Sequence, residues 1–240
     1  ERGVPMLAAD WRPPPTPPAG ALAGLKQRGA AVQKWEDGDF ADAVAEWRAQ
    51  EREPDDSIAL AVLAESLADA GDATAEKYIA RLRPGHAVEA ELYEARLQFR
   101  SGHVADAAAA LERAFAAAER DPWPLQMVLR RGLDLAGEVA ARDRAAGERL
   151  WRALGRPFAV HLQNDHRLRV RAQIAWAVDW PRLCTEALAP MEPDVPFDTE
   201  LLVRRVRCYE ASGDRRLAAA RHDLSHFAGH EPMNFSTGLR

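Results

Sequence analysis

Trp35-Glu36-Asp37-Gly38-Asp39-Phe40-Ala41-Asp42-Ala43 carries a Gly-Asp-aromatic triplet between two stretches whose apolar residues recur at helical spacing. Glycine tolerates the left-handed backbone that ends a helix in a tight turn. The triplet returns in altered form as Gly71-Asp72-Ala73, Gly102-His103-Val104 and Gly213-Asp214-Arg215. Positions with similar surroundings fall near Arg142 and Asp179, so the intervals are 33, 31, 40, 37 and 34 residues. A near-constant period of this size signals stacked helical hairpins, each burying its apolar side on the next. The expected fold is all-α, a superhelical array of about six antiparallel helical hairpins.

Working outward, the pattern predicts helix pairs over 21–36 and 40–51, 56–70 and 74–82, and 88–100 and 104–120. It continues with 122–141 and 143–154, 166–178 and 181–189, and 198–212 and 215–228. Proline at helix starts and glycine at helix ends follow the usual asymmetry. No alternating β-branched run is long enough for a strand. The segment 156–163 is the weakest helical stretch. Before the helices, Arg12-Pro13-Pro14-Pro15-Thr16-Pro17-Pro18 lacks amide donors and reads as an extended linker over 1–18. The helical domain spans 19–230. Pro232, Asn234 and Gly238 mark 231–240 as an irregular tail, with fraying expected from Gly229.

The 240 residues suffice for a well-buried core, and 47% apolar with 29% charged residues is a globular balance. The net charge of −5 is uneven: residues 1–120 carry 14 Lys/Arg against 21 Asp/Glu, and residues 121–240 carry 18 against 16. Neither half has the basic excess that nucleic-acid binding requires, so no nucleic-acid partner is expected. Only Lys26, Lys34 and Lys77 among the 32 cations are lysines, a bias of GC-rich bacterial genomes. No apolar run approaches membrane-spanning length, and no signal peptide is visible. The chain opens on Glu1 rather than Met, which reads as a processed product or a fragment. A cytoplasmic location is expected, tethered to a membrane if an upstream domain inserts there, with a periplasmic one as the alternative.

The hairpins resemble tetratricopeptide repeats. That family sets a small residue in the first helix against an alanine in the second, across a Gly-Asp-aromatic turn, with a larger residue one turn on. The first unit shows Ala31, Gly38-Asp39-Phe40, Ala43, Trp47 and Pro54; the third shows Ala95, Gly102, Val104, Ala107, Leu111 and Ala114; the sixth shows Tyr209, Gly213-Asp214 and Ala218. The other units depart from it: Ala73 replaces the aromatic, the fourth turn lacks glycine, and Asp179-Trp180-Pro181 replaces the fifth turn. A second resemblance is shorter. Met6-Leu7-Ala8-Ala9-Asp10-Trp11-Arg12-Pro13 is similar to the stretch closing the catalytic domain of spermidine-synthase-like proteins, and Arg156-Pro157-Phe158-Ala159-Val160 looks like part of their helical tails. It implies, as an alternative, an accessory C-terminal domain of an aminopropyltransferase-like enzyme lying upstream.

The tetratricopeptide resemblance places the first helix of each hairpin on a concave surface. It assigns to a partner groove Arg28, Trp35 and Glu36 from the first unit, Glu65 and Asp69 from the second, and Arg96, Phe99 and Arg100 from the third. The fifth supplies His166, Arg169, Gln173 and Trp176, and the sixth supplies Arg207. The fourth supplies none. Aromatics beside arginines suit a protein or peptide partner, or another domain of the same parent chain; Trp35, Phe99 and Trp176 fit a core equally well. The Lys/Asn set of chaperone-tail binders is missing from the matching positions.

Candidate chemistry is sparse. His222, His226 and His230 share a helix face at spacing four, which chelates zinc in other settings. Gly229 should end that helix before His230, and histidine near a helix C-terminus is favoured by the dipole, so no metal site is expected. Cys184 and Cys208 have no nearby histidine to act as base and read as inert core residues, with one bridge between them left open. The arginine clusters, such as Arg130-Arg131 and Arg167 with Arg169 and Arg171, read as salt-bridged faces with partners such as Glu138, Glu148 and Glu210. No Walker, Rossmann, Gly-x-Ser-x-Gly, His-Glu-x-x-His or Cys-x-x-Cys motif is present. The expectation is a non-enzymatic chain with no cofactor.

Overall fold

The computed structural model describes residues 19–50, 53–178, 182–196 and 198–230. The linker over 1–18, with Met6–Pro13 in it, the turn Asp179-Trp180-Pro181 and the tail over 231–240 lie outside the described residues. The described part is all-helical. The elements are α1 (Ala19–Asp37), α2 (Phe40–Arg48), α3 (Ser57–Asp69), α4 (Ala75–Leu82), α5 (Ala87–Arg100), α6 (Val104–Ala118), α7 (Gln126–Arg142), α8 (Arg144–Ala153), α9 (Asn164–Val178), α10 (Arg182–Leu188), α11 (Thr199–Ser212) and α12 (Leu217–His230). Two 3₁₀ segments, His161–Gln163 and Ala189–Asp194, bridge hairpins. Odd and even helices pair as α1·α2 through α11·α12, and each hairpin packs on the next. The first helices α1, α3, α5, α7 and α9 touch in succession.

The glycine turns take the left-handed backbone that the triplets predict, with φ of 86°, 69°, 85° and 64° at Gly38, Gly71, Gly102 and Gly213. All four close alike. The N–H after each glycine donates to a carbonyl five residues back: Asp39 to Lys34, Asp72 to Leu67, His103 to Gln98 and Asp214 to Tyr209. This is the six-to-one bond that satisfies an orphan helix carbonyl. Beyond that bond the turns diverge. After Gly38 and Gly102 the next helix begins two residues on. After Gly71 and Gly213 an aspartate side chain accepts the N–H two residues further on, Thr74 to Asp72 (2.9 Å) and Arg216 to Asp214 (2.8 Å), and the helix begins four residues after the glycine.

That longer turn corrects the sixth unit. Ala218 is exposed, and Ala220 takes the buried place, because the restart at Leu217 shifts the register by two residues. In the first and third units Ala31, Ala43, Ala95 and Ala107 are all fully buried, letting helix backbones approach. Trp47 and Leu111 fill the space one turn on, each contributing about 2–3 kcal/mol by burial. Two boundaries also move. Helix α7 starts at Gln126 rather than Pro122, because Pro122 and Pro124 disfavour helix in the residues before them. The Leu125 N–H is instead accepted by Glu89 (2.7 Å). Helix α12 runs through Gly229 to His230, so glycine does not end it early.

The stretch 156–160 is not helical. Phe158 is buried against Phe115 (centroids 5.8 Å apart), and Ala159 N–H donates to the Ala118 carbonyl. The connection is thereby fastened back onto the third hairpin. Cys184 of α10 and Cys208 of α11, both buried, are joined in a disulfide, which resolves the alternative left open by sequence. No helix among the described residues is long and apolar enough to cross a membrane.

Candidate interaction surface on the first helices

The partner-groove residues fall into two groups. In the first three hairpins they bond mainly to one another. Glu65, 1% exposed in the middle of α3, accepts from the Trp35 indole N–H of α1 (2.7 Å) and from Arg131 of α7 (3.1 Å). Arg96 of α5 approaches its other oxygen at 3.4 Å. One turn along α3, Asp69 accepts from Arg96 and Arg100, each at 2.8 Å. Arg131 also donates to the carbonyls of Trp35 (2.7 Å) and Glu36 (2.8 Å), placing a cation at the C-terminal end of α1, where the helix dipole favours it. The guanidinium groups of Arg96 and Arg131 lie over the Phe40 ring, at 5.4 and 5.1 Å, and that of Arg142 lies 5.1 Å over Phe99.

This network has a defined electrostatic character. Burial pushes the Glu65 carboxyl above its ordinary range, against the pull of Arg96 and Arg131. Burial also presses Asp69 upward, but the hydrogen bonds from Arg100 and Arg96 outweigh it and hold the group below the usual carboxylate range. Tyr93, fully buried beside them, is raised well above its ordinary value by burial and by Glu65 and Glu89. It stays a neutral phenol, and its hydroxyl has no hydrogen-bond partner. Trp35 and Phe99, at 2% and 5% exposed, are core side chains, Trp35 reaching Glu65 through its indole N–H and Phe99 lying beneath Arg142.

Other members sit at the edges of this cluster or beyond it. Arg28 pairs with Asp55 and Asp56, both at 3.1 Å, and lies 5.7 Å over the Trp47 ring. The Glu36 side chain is exposed. His166 bonds Asp134 (2.7 Å), and Arg169 pairs with Asp198 (3.3 Å). Gln173 is exposed yet lies across Gly137, where a methyl would stand 3.0 Å from its amide nitrogen. Trp176 is 38% exposed, and Arg207 is exposed. The structure therefore joins Trp35, Glu65, Asp69, Arg96 and Arg100 into one network and leaves Arg28, His166, Arg169, Gln173, Trp176 and Arg207 outside it.

Sequence reasoning misses three members, Arg131, Arg142 and Phe40. The repeat pattern gives Phe40 only the place of the turn aromatic. It leaves Arg131 in a solvated cluster, because the fourth hairpin has no glycine turn to set its register.

The remaining arginines are mostly paired, as the salt-bridge reading expects. Arg144 bonds Glu148, and Arg221 bonds Glu210. Arg205 grips Glu192 with two bonds (2.9 and 2.8 Å), while Tyr209 donates its hydroxyl to the same carboxylate. Arg171 pairs with Glu186 (3.3 Å) and also bonds the Trp151 carbonyl, while Arg167 bonds the Leu154 carbonyl at the end of α8. Burial, with Arg171 nearby, lowers Arg167 to about 10. His222, His226 and His230 stand exposed along α12, the last two rings stacked at 4.2 Å. Among the described residues no group of three or more His, Cys, Asp or Glu is placed to hold a metal ion. No protein-family model, curated protein or solved structure matches the chain.

Proposed function

We propose that this chain is a non-catalytic scaffold of tetratricopeptide-repeat type, its hairpins wound as a superhelix, holding a protein or peptide segment on its first helices. The partner is a separate protein or another domain of the same parent chain. The observation that carries this reading is the row of first helices in successive contact, lined around Phe40 and Phe99 by Arg96, Arg100, Arg131 and Arg142. Guanidinium groups laid against aromatic rings are pre-organised, so less side-chain entropy is lost when an acidic or aromatic side chain docks.

The structure also chooses the test. Arg96 is unsuitable for charge reversal, because a carboxylate there would face Glu65 and Asp69. Arg142, exposed and laid over Phe99, is suitable for reversal, and Arg100, which pairs with Asp69, is neutralised instead. A displayed peptide library selected on the wild-type chain should yield acidic, aromatic-bearing peptides. Arg100→Gln with Arg142→Glu should weaken them at least about tenfold with an unchanged circular dichroism spectrum. Peptides that bind the double variant equally well would remove this face from the reading.

A further inference from the structure

A second site lies away from these ion pairs, among the second helices of the first two hairpins. Helix α6 packs directly on α8, but α2 and α4, of nine and eight residues, make no comparable contact. The gap between them, floored by α3, is a cleft of about 430 Å³. Its apolar wall comes from Trp47, Pro54, Leu63, Leu67 and Tyr78. A space of this size lies within the range that encloses small ligands.

Two features give the cleft a chemical preference. Trp47 is 3% exposed, and its indole N–H is buried without a hydrogen-bond partner. A buried donor left unmet is costly, and a ligand oxygen reached by a small shift of the ring would recover that cost. The charged lining residues are Arg48, Lys77 and Glu53, an excess of one positive charge. Lys77 bonds Glu53 at 3.2 Å and lies 5.2 Å over the Tyr78 ring, while the carboxylate paired with Arg48, Asp72, stands 4.0 Å away. An apolar wall, an unmatched donor and two exposed cations together fit one kind of molecule.

We propose that the cleft between α2 and α4 binds a small amphiphilic carboxylate. Its apolar body lies against Leu63, Leu67 and Tyr78, and its carboxylate accepts from Trp47 within reach of Lys77 and Arg48. The site is independent of the first-helix face and stands whether or not that face binds a partner.

The test uses the full chain with ¹⁵N-labelled indoles, the Trp47 signal being identified by its loss in Trp47→Phe. Decanoate, titrated below its micellar concentration, should shift the Trp47 N–H downfield along a saturable curve while most other indole signals stay in place. Lys77→Glu with Arg48→Glu, both exposed positions, should weaken decanoate at least about tenfold without changing the circular dichroism spectrum. Decyltrimethylammonium, with the same tail and opposite charge, should leave Trp47 unmoved. The proposal is overturned by an unmoved Trp47, by an equal response to the cationic amphiphile, by equal affinity in the double variant, or by a shift spread over all indoles. Saturable displacement of Trp47 by an uncharged apolar peptide, with none by decanoate, would overturn it in favour of a protein ligand.

Discussion

At the scale of single residues, the turn aspartates do more than succeed a glycine. Asp214 accepts the Arg216 backbone N–H and both Nε and Nη2 of its guanidinium, at 2.8, 2.8 and 2.7 Å. The Arg216 side chain is the leading cause that holds the Asp214 carboxyl down, to about 2. A depressed carboxylate stabilises the fold above its unfolded pKa, near 4, and loses that contribution as the pH falls through the folded value. Solvent screening of this surface pair reduces the effect to about 1 kcal/mol. Asp214→Asn should therefore lower stability by about that amount at pH 6 and by only a small fraction of it at pH 2, where the folded carboxyl is about half protonated, with urea midpoints at the two pH values as the measurement. An equal loss at both would mean that backbone bonding, not charge, is what Asp214 provides.

At the scale of elements, what sequence makes legible depends on whether a residue type has alternatives. A left-handed turn closing a helix has few substitutes for glycine, so Gly38, Gly71, Gly102 and Gly213 announce four hairpins. Turn length has no such marker, since Asp72 and Asp214 cap a longer turn with the same residue type that Asp39 supplies in a short one. The restart of α12 at Leu217, and with it the exchange of Ala218 for Ala220, is therefore illegible. The pairing of Cys184 with Cys208 is equally so, because bonding depends on how α10 meets α11 and not on either residue's neighbours. The bridge closes a loop with a sequence separation of 24, a constraint worth about 3 kcal/mol in the chain-entropy view. Reduction should raise amide exchange in α10, α11 and α12 while leaving α3 to α6 unchanged. Alkylation of both thiols in denaturant without reductant would show that the bond does not form.

At the scale of the whole molecule, one side chain breaks the rule that hairpins touch only their neighbours. Helices in a flat row lie about 9 Å apart, which would leave α7 far beyond an arginine's reach from α1. Arg131 nevertheless bonds carbonyls 95 and 96 residues earlier in the chain, so the row of first helices curves inward here. Sequence places Glu65 and Arg96 at equivalent positions, six residues before Gly71 and Gly102, and Trp35 three before Gly38, but it has no register for the fourth unit. Arg131 is the residue that makes the four units one network. A stack held by neighbour contacts alone responds to damage locally. Here Glu65→Gln would leave Arg131 facing a neutral side chain, while Arg96 keeps Asp69, at a cost of about 1–3 kcal/mol, and Arg131→Met would strip the end of α1 as well. Because the two residues share a bond, the double variant should lose less than the sum of the singles by at least about 1 kcal/mol, read from urea unfolding. Arg131→Met should also speed amide exchange in the last turns of α1, two hairpins beyond its own neighbour. Additive losses, with exchange in α1 as in the wild type, would mean that α1 is held by α2 and α3 alone and that the inner ion pairs are bystanders to the curvature.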